Sequence, residues 1–181
     1  MSQARNQLRI VGGEYRRRVL RFPDAEGLRP TPDRVRETLF NWLGQDLTGK
    51  TCLDLFAGSG ALGFEAASRN ARRVVMVEKA KPVHAALQVN RQLLGATHIE
   101  LVHADAAAWL ARCTEQFDVV FLDPPFASDL LVKTLTVLPV RLNEGALVYA
   151  ECAQRPDLKG WEILREGKAG TVHYALLRHT D

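Results

Sequence analysis

The 181-residue sequence predicts an α/β fold: a mostly parallel, seven-stranded sheet flanked by helices, closing in an antiparallel C-terminal hairpin and preceded by an N-terminal β-hairpin. Three observations point there. Short apolar runs alternate with helix-patterned segments from Thr51 to about residue 138, and such alternation implies right-handed crossovers between parallel strands. A glycine turn, Gly58-Ser59-Gly60-Ala61-Leu62-Gly63, joins the first of those runs to its helix. The last two runs, Trp161 to Arg165 and Thr171 to Arg178, flank Gly167-Lys168-Ala169-Gly170 with no helix between them, so one strand must run antiparallel to the rest.

Residues 1–7 carry no pattern and are expected to be disordered. Residues 8–11 and 15–20 flank Gly12-Gly13 as a hairpin, followed by a loop over 22–29. Thr31 is expected to cap a helix that has Pro32 in its first position, runs to about Leu43 and stops at Gly44. Val35, Leu39, Trp42 and Leu43 form its apolar stripe, with Arg34 and Glu37 on other faces. Strands then read at 51–55, 73–77, 99–103 and 117–122, and helices at about 60–69, 81–94, 105–112 and 129–138. Pro82 starts the second of these helices and Gly95 ends it, while Ser128 is placed to cap the last. Residues 146–151 form a fifth strand. The chain divides into a basic N-terminal arm, 1–28, and a main domain, 29–181.

Composition narrows the function classes. Apolar residues at 46% and charged residues at 25% are ordinary for a water-soluble domain. No apolar run approaches the roughly 20 residues of a membrane span, and residues 1–5 lack a signal-peptide core, so a cytoplasmic protein is expected. Cys52, Cys113 and Cys152 show no C-x-x-C spacing, and His103, the histidine nearest a motif, has no ligand-spaced partner, so buried thiols and no metal are expected. The net charge of +3 is unevenly placed: residues 1–21 hold six arginines against Glu14, and the remaining 160 residues sum to −2. A basic arm on a near-neutral body suits a nucleic acid; a solvated basic terminus reads equally well from charge alone. Nothing suggests an exposed apolar face, so a monomer is expected.

The spacing Gly58-x-Gly60-x-x-Gly63 after a strand is that of a nucleotide site. Gly58 is expected to allow the tight turn, Gly60 to leave room for a ligand, and Gly63 to let helix and strand approach. Glu78, 20 residues after Gly58, stands where an acid meets ribose hydroxyls. Asp54 discriminates between cofactors: a carboxylate before the turn repels a pyrophosphate and attracts a cation, which favours S-adenosylmethionine over NAD. Asp54, Glu78, Asp105 and Asp123 thus mark four consecutive strand ends. Helix capping is the plainer reading of each; it suffices for Asp105, explains Glu78 poorly, and fails for Asp123, because Pro124-Pro125 follows.

Asp123-Pro124-Pro125-Phe126 is a rigid loop without two of its N–H donors. A carboxylate beside an outward carbonyl can accept both hydrogens of an aryl amine, localising the lone pair and aiming it at a methyl group, and Phe126 is placed to stack on the base. A structural Pro-Pro turn with a core Phe is the alternative. On these residues the central region resembles class I S-adenosylmethionine-dependent methyltransferases that act on amino groups, a Rossmann-like fold. Arg9-Ile10-Val11-Gly12-Gly13, Gly27-Leu28-Arg29-Pro30-Thr31, the run Asp33 to Leu43, Val120 to Phe126, Leu147 to Glu151 and the Gly167 to Gly170 turn extend the similarity, over nearly the whole chain, to the bacterial 16S rRNA guanine-N2 methyltransferases. Pro32 and Tyr15-Arg16-Arg17 depart mildly from that pattern.

The resemblance implies S-adenosylmethionine as donor, the 2-amino group of one guanine as acceptor, and assembled or assembling 30S subunits as substrate. It implies that Asp54 and the turn Phe56, Ala57, Gly58, Ser59 and Gly60 hold the methionine end, that Glu78 and Lys79 meet the ribose, and that Asp105 and Ala106 meet the adenine. Asp123 and the Pro124 carbonyl would bind the amine, with Pro125 stiffening the loop and Phe126 stacking. Arg9, Arg16, Arg17, Arg18, Arg21, Arg29, Arg34 and Arg36 are the expected RNA contacts. Three rivals stand beside this reading. An adenine-N6 methyltransferase shares the loop, an NAD-dependent dehydrogenase is opposed by Asp54, and a non-catalytic RNA-binding assembly factor is opposed by the intact loop.

Overall fold

The computed structural model describes residues 6–125 and 129–181. Two short strands, β1 (Gln7–Arg9) and β2 (Val19–Arg21), pair antiparallel and lead to α1 (Asp33–Trp42). The alternating region follows as β3 (Thr51–Asp54), α2 (Ala61–Ser68), β4 (Arg73–Glu78), α3 (Lys81–Leu94), β5 (Ile99–His103), α4 (Ala106–Arg112), β6 (Phe117–Leu122) and α5 (Leu130–Val137). A 3-10 turn, Leu138–Arg141, then feeds β7 (Leu142–Cys152), β8 (Trp161–Ala169) and β9 (Val172–His179).

The main sheet has seven strands in the order β5-β4-β3-β6-β7-β9-β8. β3 to β7 pair parallel, and β9 slots antiparallel between β7 and β8. Strand alternation divides the core. Cys52, Val74, Met76, Val119, Phe121, Tyr149 and Leu176 face α1, α2, α3 and the N-terminal hairpin. Leu53, Val75, Val77, Val120, Leu122, Val148 and Leu177 face α4 and α5. Strands buried on both faces carry apolar side chains on both, which is why β4 and β6 contain the unbroken apolar runs Val74 to Val77 and Val119 to Leu122.

Helix α2 is buried along its whole length, Glu65 included. Its glycines are placed for packing. A Cβ on Gly63 would stand 2.8 Å from Met76 of β4, so the expected close approach of helix and strand is present. Gly60 is crowded as well. Its φ is +85, and a Cβ there would meet Phe64 at 2.4 Å and Leu87 at 2.9 Å, so it makes room for the protein's own side chains. Gly58, at φ +54, makes the expected tight turn.

The N-terminal segment is part of the core. Leu8, Ile10, Tyr15, Leu20 and Phe22 are buried in the same cluster as α1 and α2. Backbone N–H groups of Val11 and Gly12 donate to the two oxygens of Glu65 at 2.8 and 3.0 Å, and those of Glu14 and Tyr15 donate to the carbonyl and hydroxyl of Ser68. These bonds hold residues 10–18 in tight turns, with Arg17 at φ +73, so the second strand is only Val19–Arg21 and not 15–20. The first strand likewise begins at Gln7, within the stretch expected to lack order; residues 1–5 of that stretch lie outside the described residues.

Two expectations for α1 are corrected. Pro32 is the cap residue, and the Thr31 hydroxyl donates to Glu151 at 3.2 Å instead of capping the helix. Arg36, expected as an RNA contact, is 1% exposed. Its guanidinium donates to the carbonyls of Thr31 and Arg9, to Glu65 at 3.1 Å, and to Asp33. Glu65 also pairs with Arg69 at 3.0 Å. A buried carboxylate met by two guanidiniums and two backbone donors satisfies the requirement that interior charge be paired. Ser128, expected to cap α5, lies outside the described residues.

Candidate active site

The acids gather along the carboxyl edge of the sheet because the register aligns their strands. Asp54 is level with Met76 and Phe121, and Phe121 with Tyr149. Continuing the alternation by one step puts Glu78, Asp123 and Glu151 on the same face as Asp54, the face covered by α1, α2 and α3.

Asp54 is 2% exposed, and its Oδ2 accepts the N–H of Gly63 at 3.0 Å. Burial pushes its carboxyl up to about 7, against that hydrogen bond, with the charges of Glu78 and Glu151 adding to the rise. Glu78 reaches back across the turn: Oε1 accepts from Gly58 N–H at 3.1 Å and Oε2 from Ala80 N–H at 2.9 Å. Within the turn, Phe56 is half-buried, Ala57 and Ser59 are buried, and Ala57 N–H donates to the Val77 carbonyl, tying the turn to β4. Lys79 is exposed, and its carbonyl meets Nε2 of His103, whose ring stacks on His84 with centroids 5.0 Å apart. At Asp105 the structure shows the plainer reading: Oδ2 accepts the Ala108 N–H at 3.0 Å and caps α4, which opens with the buried Ala106.

Asp123 follows the end of β6 and shares a hydrogen bond with Glu151. The residue is half-buried, and desolvation, then the charge of Glu151 and their mutual hydrogen bond, then Asp54, hold its carboxyl well above the usual carboxylate range. Glu151, 6% exposed, had no role assigned from the sequence. Its Oε1 accepts from the Tyr149 hydroxyl at 2.5 Å and from the Thr31 hydroxyl at 3.2 Å. Burial and the same acids push the Tyr149 phenol up, so it stays a donor. The signal for Glu151 was present, an acid ending an otherwise apolar run like the four that were read. Pro124, Pro125 and Glu151 stand in the wall of a pocket of about 340 Å³ completed by Leu131, Val132 and Gln154 among others. Phe126 lies outside the described residues. A shallower groove of about 390 Å³ between Val19, Phe22 and Val89 holds none of these acids.

Of the expected RNA contacts, Arg9, Arg16, Arg17, Arg18, Arg21, Arg29 and Arg34 are exposed. Arg18 also donates to the Leu93 carbonyl at 2.9 Å. Among the described residues no group of acids, histidines or cysteines has the geometry of a metal site, and no helix is long and apolar enough to cross a membrane.

A sheet ordered this way, with its acids ranged along the carboxyl edge, is the scaffold of a class I methyltransferase, and known proteins bear that out. A solved structure from Escherichia coli described as "Putative methyltransferase yhhF" superposes with a TM-score of 0.88 at 42% identity, covering 96% of this chain and 98% of that one. The family described as conserved hypothetical protein 95 matches residues 8–178. Ribosomal RNA small subunit methyltransferase D of Escherichia coli K12 is 43% identical over 94% of this chain and 89% of its own length. The protein of the same name from Haemophilus influenzae is 40% identical over 97% and 96%. The chain belongs to the ribosomal RNA small subunit methyltransferase D family. A cationic methyl donor fits what the site offers: the buried Asp54 and Glu151 and the half-buried Asp123 on one face, with burial holding Asp54 up to about 7.

Proposed function

We propose that this protein transfers a methyl group from S-adenosylmethionine to the exocyclic N2 amine of one guanine in 16S rRNA, acting as a cytoplasmic monomer on assembled or assembling 30S subunits. The observation that carries the reading is the rigid Asp123-Pro124-Pro125 loop at the end of β6, beside Asp54 and opening on a pocket. The names of the relatives, which specify small-subunit ribosomal RNA, and the exposed arginines of the N-terminal segment support the choice of substrate.

S-adenosylmethionine supplies an electrophilic methyl group. Asp54 and the Phe56-Ala57-Gly58-Ser59-Gly60 turn hold its amino-acid end, with Glu78, Lys79, Asp105 and Ala106 along the nucleoside. Asp123 and the Pro124 carbonyl accept the two hydrogens of the amine, which localises its lone pair and fixes its direction. Positioning of that kind can supply most of the rate of an in-line displacement. The amine becomes acidic only as it gains the methyl, so Asp123 then takes its proton without needing a tuned pKa. Pro125 stiffens the loop and Phe126 stacks on the base, which must be unpaired or flipped out to enter. Arg9, Arg16, Arg17, Arg18, Arg21, Arg29 and Arg34 hold backbone phosphates.

Tritiated S-adenosylmethionine offered with 30S subunits, naked 16S rRNA and duplex DNA, all from cells lacking this activity, tests the reading. Label in N2-methylguanosine is expected. Label in N6-methyladenine overturns the acceptor, and no label with donor bound turns the protein into an assembly factor.

A further inference from the structure

Glu151 is buried beside the loop, and two hydroxyls, from Tyr149 and Thr31, converge on its Oε1. The hydrogen bond between Glu151 and Asp123 raises the Asp123 carboxyl, which makes Asp123 its donor. Two carboxyls thus stand side by side and share a proton, and Glu151 lies in the wall of the pocket that Pro124 and Pro125 help form. Helix α1 fixes one of the two hydroxyls, because the Thr31 carbonyl is bonded to the buried Arg36 at 3.1 Å.

A single carboxylate and a carbonyl are enough to hold an amine. A second carboxyl alongside them matches a longer donor edge. Guanine presents such an edge, an N2 amine next to an N1–H, whereas adenine presents an N6 amine next to an N1 lone pair. We propose that Glu151 is the residue that selects guanine: it accepts the ring N1–H while Asp123 and the Pro124 carbonyl accept the amine hydrogens. This rests on the guanine-N2 reading above and specifies how that base is told from adenine. The proton between the two carboxyls leaves to solvent as the base enters, since both then act as acceptors. An adenine in the same pose sets its N1 lone pair against the Glu151 carboxylate, which then lacks the donor that guanine N1–H supplies beyond the two hydroxyls, and a site built around a hydrogen bond rejects a ligand that lacks it.

The test uses 30S subunits reconstituted with either guanine or 2-aminopurine at the methylated position. 2-Aminopurine keeps the amine but has a lone pair at N1. The wild-type enzyme is expected to favour guanine by about 10- to 100-fold in kcat/KM, the range of one hydrogen bond to a charged group. In Glu151→Gln the side chain can donate as well as accept, so that preference should collapse toward unity while donor binding, followed calorimetrically, is kept. If Glu151→Gln does not bind donor, Glu151→Asp replaces it, with a partial loss of preference expected. Equal use of both bases by the wild type overturns the proposal. So does a variant that slows both substrates in parallel, which is what a merely structural Glu151 would do. Label on guanine N2 with an unchanged ratio defeats this inference alone; label on adenine defeats the parent reading and this one with it.

Discussion

At the scale of single residues, the site is governed by carboxyls held short of full ionisation. Asp123→Ala removes an acceptor of the amine, and kcat should fall by about 10²- to 10⁴-fold, with donor binding kept. Loss of donor binding in a folded variant would assign Asp123 to the cofactor instead. Asp54 makes a pH prediction. Its folded carboxyl sits at about 7 against an ordinary 3.8, so the native state keeps a proton that the unfolded chain gives up. That contribution to stability is full on the acid side and is lost as pH rises through about 7. A cationic donor prefers the ionised form, so its affinity should climb as pH approaches about 7 from below, with proton uptake by the buffer. Calorimetry in two buffers of different ionisation enthalpy reads this directly, and an affinity flat from about pH 5.5 to about 8 would defeat it. Asp54, Glu78 and Asp123 were legible because each ends an apolar run. The direction of each side chain was not, since it depends on register between strands far apart in the chain. The pairing of Glu151 with Asp123 therefore had to be seen, as did the crowding around Gly60, whereas the cap made by Asp105 was among the readings the sequence offered.

At the scale of elements, the N-terminal hairpin serves two purposes that charge counting merged into one. Its arginines at 16, 17, 18 and 21 face solvent, while Leu8, Ile10, Tyr15 and Leu20 fill the core beside α2. Removing residues 1–21 would therefore strip core packing along with charge and should unfold the protein. Replacing only Arg16, Arg17, Arg18 and Arg21 by Gln should leave the fold intact and lower the salt dependence of RNA binding by about one slope unit per lost phosphate contact. An unchanged slope would reduce the four to solvated surface. The inner side of the same element predicts a stability effect. Glu65→Ala leaves Arg36 and Arg69 buried without their shared carboxylate, and should cost about 3–5 kcal/mol in urea unfolding. Arg36 shows why the sequence misled: three arginines in eight residues look like a phosphate clamp, and only packing reveals that one of them points inward.

At the scale of the molecule, the boundaries of the parallel strands and their helices followed from apolar runs and turn residues, and the structure moves them by a residue or two, except that β7 starts at Leu142, four residues before the expected 146. The C-terminal hairpin was legible as one antiparallel strand in seven, but which strand, and where it inserts, was not. The answer is β9, and its position has a consequence for how the sheet is closed. β8 touches the sheet only through β9, so the two form a local hairpin that joins the rest as one piece along β7. β8 is half-exposed along much of its length, whereas β3 is buried throughout. Amides of β8 and β9 should therefore exchange with deuterium together, and well before those of β3, β4 and β6. Whenever that piece lifts, β7 offers a bare row of backbone donors and acceptors to whatever strand is nearest, and in a concentrated solution the nearest strand belongs to another molecule.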